Sequence, residues 1–285
     1  MIRSAHHADF DLDRLLERKD RSVTAVLPAR ECAATVGLAV ERILGLNGLV
    51  DQVLVIDANS ADGTAGLASA AGAEVAQEDA LVPELGPAIG KGDAMWRALS
   101  VARGDLVVYL DADTPGFSPA FVTGLLGPLL TDPSAQFTKA TYRRPFHAAD
   151  GSVLPGGGGR VSQLTARPLL GAFYPDLTGL SQPLSGEVAG ARALFERVPF
   201  STGYSVETAM LLDLRELIGA SAMVEVDLGE RLNAHQSLEA LRPMADVVLA
   251  SVTERLRRDG RLVDSPAGAG VVRRPPFASL LSAAA

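Results

Sequence analysis

The chain has 285 residues, of which 47% are hydrophobic and 5% aromatic, and its formal net charge is −8. This is enough for one large α/β domain, while the acidic balance excludes an extended nucleic-acid-binding face, which would have to be basic. No apolar run approaches the ~18 residues of a membrane-spanning helix, and the first residues lack the apolar centre of a secretory signal. Because Cys32 is the only cysteine, an intramolecular disulfide is excluded and a cytoplasmic location is expected.

The first half of the chain alternates between predicted strands and helices. Apolar runs predict strands at residues 23–29, 50–58, 73–77 and 105–113, and helical spacing predicts helices at residues 33–46, 63–71 and 91–102. This alternation predicts an α/β fold with a mostly parallel, doubly wound sheet that binds ligands at the carboxyl ends of its strands. Polar residues follow three of these strands, at 28–31, 57–60 and 111–113.

The second half is less regular. It predicts helices at residues 118–130, from Arg160, at 205–217 and at 237–258, and strands at 135–144, 185–191 and 222–228. Residues 148–159 are too rich in glycine to pack as a regular element. We therefore expect an N-terminal extension (1–21), one domain (22–258) and a loosely attached tail (259–285) that is rich in Gly, Pro and Ala.

Asp111 and Asp113 follow the strongest predicted strand. On an extended segment, side chains two residues apart point the same way. Two carboxylates there suit Mg²⁺ or Mn²⁺, which prefer oxygen ligands and bridge diphosphates. The alternative is a simple turn before Pro115.

Further charged residues are candidates for substrate binding. Lys91 lies between two glycines at a predicted helix start and could reach phosphate oxygens, although the triplet also suits an ordinary loop. Glu187, in an apolar segment of small residues, faces either the cleft, which we favour, or an arginine such as Arg192 in the core. Basic residues concentrate in the middle third and either meet an anionic substrate or balance acidic neighbours on a solvated face: Lys139, Arg143, Arg144, Arg160 and Arg167.

Several motifs resemble those of GT-A type glycosyltransferases, in the same order and spacing: VTAVLPARE, VLVIDANSADGT, GKGDAMWRAL and DLVVYLDAD. Others resemble one branch, the glucosyl-3-phosphoglycerate synthases: YRRP, GGGRVSQLTARPLL, QPLSGEVAGAR, VPFSTGYSVETAMLLD and VDLGERL. The resemblance runs from about Val23 to about Leu256. It implies a GT-A nucleotide-diphosphosugar transferase fold and a metal-dependent, retaining hexosyltransferase. Residues 22–113 would bind the nucleotide sugar and residues 114–258 the acceptor.

The resemblance also assigns roles to individual residues. The donor would be bound by Pro28, Ala29, Glu31, Asp57, Lys91, Asp111 and Asp113. The acceptor would be bound by Gly159, Arg160, Ser162, Arg231 and Asn233. Asp113 and His235 would hold the metal, and Glu187 and Asp113 would be the catalytic residues. A glycine-rich turn that opens a helix, with an arginine beside it, suits phosphate and carboxylate groups, although the turn could also be a plain linker.

Three positions depart from the family pattern. One acid, Glu31, stands where the family has two, Ala58 replaces a serine, and Asn233 replaces the histidine that binds the metal. We favour His235, two residues later, as the ligand. The amide of Asn233, or Asp113 with phosphates and water alone, are the alternatives.

The expected reaction moves glucose from UDP-glucose to D-3-phosphoglycerate, and the expected assembly is a homodimer. Transfer from GDP-mannose and a degenerate, non-catalytic binding protein are alternatives. Retention could proceed through a covalent intermediate or by same-face attack. A lipid acceptor is disfavoured, because no amphipathic segment follows the predicted domain.

Overall fold

The computed structural model describes residues 1–147, 153–154, 158–231 and 236–262. Its strands are β1 (Arg3–His6), β2 (Val23–Ala29), β3 (Gln52–Asp57), β4 (Glu74–Gln77), β5 (Leu106–Tyr109), β6 (Phe137–Arg143), β7 (Phe146–His147), β8 (Val153–Leu154), β9 (Val188–Ala191) and β10 (Met223–Glu230). Eight of them form one sheet in the order β1-β10-β6-β9-β5-β2-β3-β4, and β7 and β8 pair separately. The expected mostly parallel sheet is confirmed, since β9 alone among the described strands of this sheet runs antiparallel to its neighbours.

Helices cover both faces of the sheet. They are α1 (Leu12–Arg18), α2 (Val36–Leu44), α3 (Thr64–Ala70), α4 (Gly90–Ala98), α5 (Ala120–Thr131), α6 (Arg167–Phe173), α7 (Arg192–Phe195), α8 (Val206–Ile218) and α9 (Leu238–Arg258). Alternate residues of β2 enter two cores: Leu27 packs in the core that holds α2 and α5, and Val26 packs in the core that holds α4 and α8. Burial on both faces explains why the central strands are apolar throughout. None of the described helices is both long enough and apolar enough to cross a membrane.

The N-terminal residues differ from the expectation of an extension. Strand β1 pairs in parallel with β10, with Ala5 opposite Val226, and Leu15 of α1 is 1% exposed in the core shared with α5. A four-residue strand at a sheet edge has too little periodicity to be recognised from sequence. Residues 1–18 thus complete the sheet and its helical cover.

Strand β9 determines where the site can form. It lies between β5 and β6, with Val188 opposite both Tyr109 and Lys139. Because β9 is antiparallel, its first residue, Val188, lies at the carboxyl end of β5. The segment before it, residues 182–187, therefore meets the Asp111–Asp113 segment that follows β5.

Candidate active site

A cavity of about 460 Å³ opens at the carboxyl ends of the central strands. Its wall includes Pro28, Ala29, Arg30, Cys32, Ala58, Glu78, Lys91, Asp111, Asp113, Arg144, Gly186 and Glu207. A second cavity of about 170 Å³ includes Gly158, Gly159, Arg160, Val161 and Ser162 in its wall. Arg144, Leu184, Gln236 and Met244 line both cavities. The two spaces therefore adjoin, as the sites of a two-substrate enzyme must.

The two predicted aspartates have different environments. Both oxygens of Asp111 are engaged, since Oδ1 lies 2.7 Å from Nζ of Lys91 and Oδ2 lies 3.0 Å from Nη1 of Arg231. Burial alone would raise the pKa of Asp111, but these two cations outweigh it and hold that pKa well below its usual range. The side chain of Asp113 is 70% exposed, and its ion pair with Arg231 spans 3.5 Å. Asp113 is therefore the carboxylate that can accept a new ligand.

Lys91 lies in the first turn of α4, at the floor of the main cavity. Its ammonium group also donates to Oε1 of Glu207 at 3.2 Å. Burial alone would lower the pKa of Lys91, yet the carboxylates of Asp111 and Glu207 outweigh it and raise that pKa. Gly186 makes this arrangement possible, because a Cβ at that position would overlap Nζ of Lys91 and lie 2.6 Å from Oδ1 of Asp111.

Glu187 does not line the cavity, unlike the cleft-facing acid that we favoured from the sequence. It is 1% exposed, forms an ion pair with Arg231 and accepts a hydrogen bond of 2.8 Å from the hydroxyl of Tyr142. This is the arginine-paired alternative, with Arg231 rather than Arg192 as the partner. A buried carboxylate needs such a cation, and the apolar segment around Glu187 offers none of its own.

Arg231 was expected at the acceptor, but the structure buries it beneath the main cavity. Its side chain is 2% exposed and contacts Asp111, Asp113 and Glu187. The same guanidinium donates to the hydroxyl of Tyr142 at 3.0 Å. Arg231 therefore links Asp111 and Asp113, which follow β5, to Glu187, which precedes β9. It lies in the wall of neither cavity.

The predicted acceptor residues Gly159, Arg160 and Ser162 come together in the second cavity. Gly159 has a φ of +68°, and a Cβ there would lie 2.8 Å from Oε1 of Gln182, so both backbone conformation and space favour glycine. Arg160 contacts the carbonyl of Gln236 through Nη2. Ser162 is 3% exposed and begins a π-helical turn that leads into α6.

The other basic residues of the middle third are dispersed. Lys139 is 2% exposed and donates to the carbonyl of Ser185 at 2.6 Å, and burial lowers its pKa to about 8. Arg167 contacts Gln163 and lines neither of the two cavities. Arg144 lines both, and its guanidinium lies 4.9 Å from the centre of the Tyr142 ring.

The predicted donor residues divide into two groups. Pro28, Ala29 and Lys91 lie in the cavity wall with the two aspartates. Glu31 and Asp57 lie outside that wall and shape the adjacent loop instead: Glu31 accepts from the amide of Ala61 at 2.9 Å, and Asp57 accepts from the amide of Ser60 at 3.1 Å.

A divalent cation fits the exposed carboxylate of Asp113. Among the residues that the structure describes, no three His, Cys, Asp or Glu side chains gather into a metal cage. Magnesium sites in nucleotide-dependent enzymes commonly combine one or two carboxylates with substrate phosphates, and one open aspartate suits this pattern. Asn233 and His235 lie outside the described residues, so their role stays a prediction.

Sequence reasoning assigned no role to four charged side chains of the main cavity, which are Arg30, Glu78, Arg144 and Glu207. Glu207 belongs to a quoted motif, and Arg144 belongs to the basic cluster, but neither received a role. The sequence does not single out Glu78, because two adjacent acids after a short strand are typical of a solvent-exposed turn. Its burial becomes visible only once β4 is placed beside β3.

Comparison with known proteins bears on this site. Residues 24–145 match the model of Glycosyl transferase family 2. The glucosyl-3-phosphoglycerate synthase of Petrotoga mobilis is 38% identical over 91% of this chain and 82% of its own length. The crystal structure of mannosyl-3-phosphoglycerate synthase from Rubrobacter xylanophilus is 49% identical, with a TM-score of 0.85 and coverage of 92% of this chain and 84% of that one.

A crystal structure of glucosyl-3-phosphoglycerate synthase from Mycobacterium tuberculosis is also similar. It is 37% identical, has a TM-score of 0.80 and covers 92% of this chain and 89% of its own. That enzyme is in complex with Mn²⁺, UDP-glucose and phosphoglyceric acid.

Proposed function

The chain belongs to the glucosyl-3-phosphoglycerate synthase family of glycosyltransferases, and from this membership we propose that it transfers glucose from UDP-glucose to D-3-phosphoglycerate. The products are UDP and glucosyl-3-phosphoglycerate. The observation that carries the proposal is the pair of adjoining cavities, one with an open aspartate beside a lysine and one with a glycine-rich turn beside two arginines. Each cavity suits one of the two substrates.

The diphosphate of the donor is placed between Lys91 and Asp113. The ammonium group of Lys91 supplies positive charge at the start of α4, where the helix dipole also favours anions. Asp113 holds a divalent cation, Mg²⁺ or Mn²⁺, which neutralises the diphosphate when bound. Asp111 keeps Lys91 and Arg231 in place, since each of its oxygens contacts one of them.

The acceptor is placed in the second cavity. 3-Phosphoglycerate carries a phosphate and a carboxylate, so it needs concentrated positive charge on a protein whose net charge is −8. Arg160 and Arg144 both line this cavity, and guanidinium groups bind phosphate and carboxylate through paired N–H donors. The backbone turn at Gly159 adds N–H donors.

We propose that transfer retains the configuration of the anomeric carbon by same-face attack. The acceptor oxygen bonds to the anomeric carbon, the bond from that carbon to the diphosphate oxygen breaks, and the hydroxyl proton moves to the departing diphosphate. A covalent intermediate would need a carboxylate facing the sugar. Glu187 is a poor candidate for that role, because it is buried and paired with Arg231 and Tyr142. It stabilises the buried Arg231 beneath the cavity instead.

A second candidate is transfer from GDP-mannose. The specific observation in its favour is the 49% identity to the mannosyl-3-phosphoglycerate synthase of Rubrobacter xylanophilus, which exceeds the 37% identity to the mycobacterial glucosyl enzyme. The two reactions share acceptor and fold, so they differ only in the base and sugar of the donor.

We also propose that the protein is a cytoplasmic homodimer. A single cysteine suits a reducing compartment. Light scattering coupled to size-exclusion chromatography tests the assembly directly, and a monomeric mass would contradict it.

A donor-by-acceptor assay tests the reaction. Initial rates of nucleotide release are measured with UDP-glucose and with GDP-mannose, each with and without 3-phosphoglycerate and Mn²⁺. The proposal predicts fast release only when UDP-glucose, acceptor and metal are all present. Faster release from GDP-mannose would favour the second candidate, and nucleotide binding without release from either donor would indicate a non-catalytic binding protein.

A further inference from the structure

Glu78 is a buried carboxylate in the wall of the main cavity that the proposed reaction does not use. It follows β4 and is 5% exposed. Among the described residues, its side chain has one ion-pair partner, Arg30, whose Nη2 lies 3.6 Å from Oε1. Burial raises the pKa of this carboxyl, and the nearby carboxylates of Asp79 and Asp93 add to the effect, while Arg30 and Arg97 oppose it.

A largely buried carboxylate gains stability from a hydrogen-bond donor. The neighbouring acid of this turn shows the contrast, because Asp79 accepts from the side chain of Asn59 at 2.8 Å and from the amide of Ala88 at 2.7 Å. Glu78 lines the cavity, so an N–H group of a ligand could supply a hydrogen-bond donor that the described residues do not.

The position of Glu78 indicates which part of the donor it meets. The diphosphate is assigned to Lys91 and Asp113, near the end of β5, and the acceptor lies beyond them near Arg144. The side of the main cavity away from the acceptor, here called the opposite arm, extends across the ends of β2 and β3 to Glu78. Pro28, Ala29 and Ala58 line this arm. Because the acceptor occupies the other side, this arm is the place for the nucleobase. This step rests on the proposed function.

We propose that Arg30 and Glu78 read the donor base through an edge that uracil and guanine share. Both bases present a ring N–H beside a carbonyl oxygen. Glu78 accepts from the N–H, and Arg30 donates to the carbonyl. Guanine offers a further amino group to the second oxygen of Glu78.

Cytosine and adenine present a ring nitrogen acceptor where uracil and guanine present the N–H. Since the ribose fixes which edge faces the wall, this acceptor would meet the carboxylate of Glu78 without a proton between them. A site built to hydrogen-bond one edge strongly disfavours an analogue that leaves its buried group unpaired. Ala58, on the same wall, has no polar side chain to compensate.

Isothermal titration calorimetry with UDP, GDP, CDP and ADP in the presence of Mn²⁺ tests this inference. The wild-type protein should bind UDP and GDP at least tenfold more tightly than CDP and ADP, which corresponds to about 1.4 kcal/mol. In Glu78→Gln, the ratio of GDP to CDP affinity should fall at least tenfold, because the amide can donate to cytosine and holds guanine with one oxygen instead of two. Glu84→Gln, an exposed acid a few residues later, is the matched control and should leave the ratios unchanged.

Arg30→Gln provides an independent test if Glu78→Gln fails to fold. Its side chain is 65% exposed, so folding should be unaffected, while UDP and GDP should both lose affinity and CDP and ADP should not. Unchanged ratios in the folded variants would overturn the inference, even with normal transfer to 3-phosphoglycerate. Conversely, the expected ratios without any transfer would contradict the proposed function and leave the base reading in place.

Discussion

The substitution Gly186→Ala should disrupt the charged contacts at the floor of the main cavity. The added Cβ would overlap Nζ of Lys91 and lie 2.6 Å from Oδ1 of Asp111. These two atoms form a 2.7 Å ion pair, and a methyl group between them must push one side chain away. Gly186 immediately precedes Glu187 and β9, so the backbone has little freedom to withdraw.

The size of the effect follows from the contact that is lost. Removing one partner of a desolvated, hydrogen-bonded ion pair typically costs about 2 to 5 kcal/mol. Lys91 would keep its contact of 3.2 Å with Glu207, so the lower end of this range applies. About 2 kcal/mol corresponds to a loss of roughly 30-fold in kcat/KM for the nucleotide sugar.

Steady-state kinetics with varied nucleotide sugar and saturating 3-phosphoglycerate measures this loss. The control is Gly171→Ala in α6, where the nearest atom to a new Cβ is Cγ2 of Thr178 at 3.9 Å, an ordinary contact, and kinetics should be unchanged. Wild-type kcat/KM in a folded Gly186→Ala protein would refute the assignment of Lys91 and Asp111 to the donor site.

Three further predictions concern the metal, the acceptor and a buried lysine. Asp113→Asn should abolish metal-dependent turnover with little change in melting temperature, because that side chain is 70% exposed; retained turnover after EDTA treatment would contradict this. Arg160→Ala should raise the KM for the acceptor at least tenfold, about 1.4 kcal/mol, and spare donor affinity; the reverse pattern would move the glycine-rich turn to the donor site. Lys139 has its pKa lowered to about 8 from 10.5 by burial, so the unfolded chain binds more protons between these values and stability should rise with pH across that window. The increase in the free energy of unfolding approaches about 3 kcal/mol. Urea unfolding of Lys139→Met should not show this increase. Equal pH dependence of the unfolding free energy in wild type and variant would contradict the burial effect.

The parts of the fold that were predictable depend on local pattern. Strand β2 has the predicted bounds, 23–29, because a buried parallel strand is a continuous apolar run between polar ends. The antiparallel direction of β9 was not predictable, since direction depends on which strands it pairs with. Strand β1 was missed for the same reason: its pairing with β10 is set by residues that lie more than 200 positions away.

The residues of the site likewise divide into those that the sequence predicts and those that only the fold reveals. Asp111 and Asp113 were predictable as a pair at a strand end, but their different roles follow from Lys91 and Arg231, which the fold brings to Asp111 from distant segments. The burial of Glu187 depends likewise on Tyr142 and Arg231. Pairings between distant side chains decide which carboxylate is open, and a one-dimensional pattern does not contain them.

The reaction that we propose for this protein joins glucose to 3-phosphoglycerate. Its most direct test is to incubate the protein with Mn²⁺, 3-phosphoglycerate and UDP-glucose that carries a carbon-13 label in the sugar, and to identify the labelled product by nuclear magnetic resonance and mass spectrometry. We expect a labelled glycoside of phosphoglycerate, with the anomeric configuration of the donor retained, and an equal amount of UDP. Label that remains in UDP-glucose, or that appears only as free glucose, would contradict it.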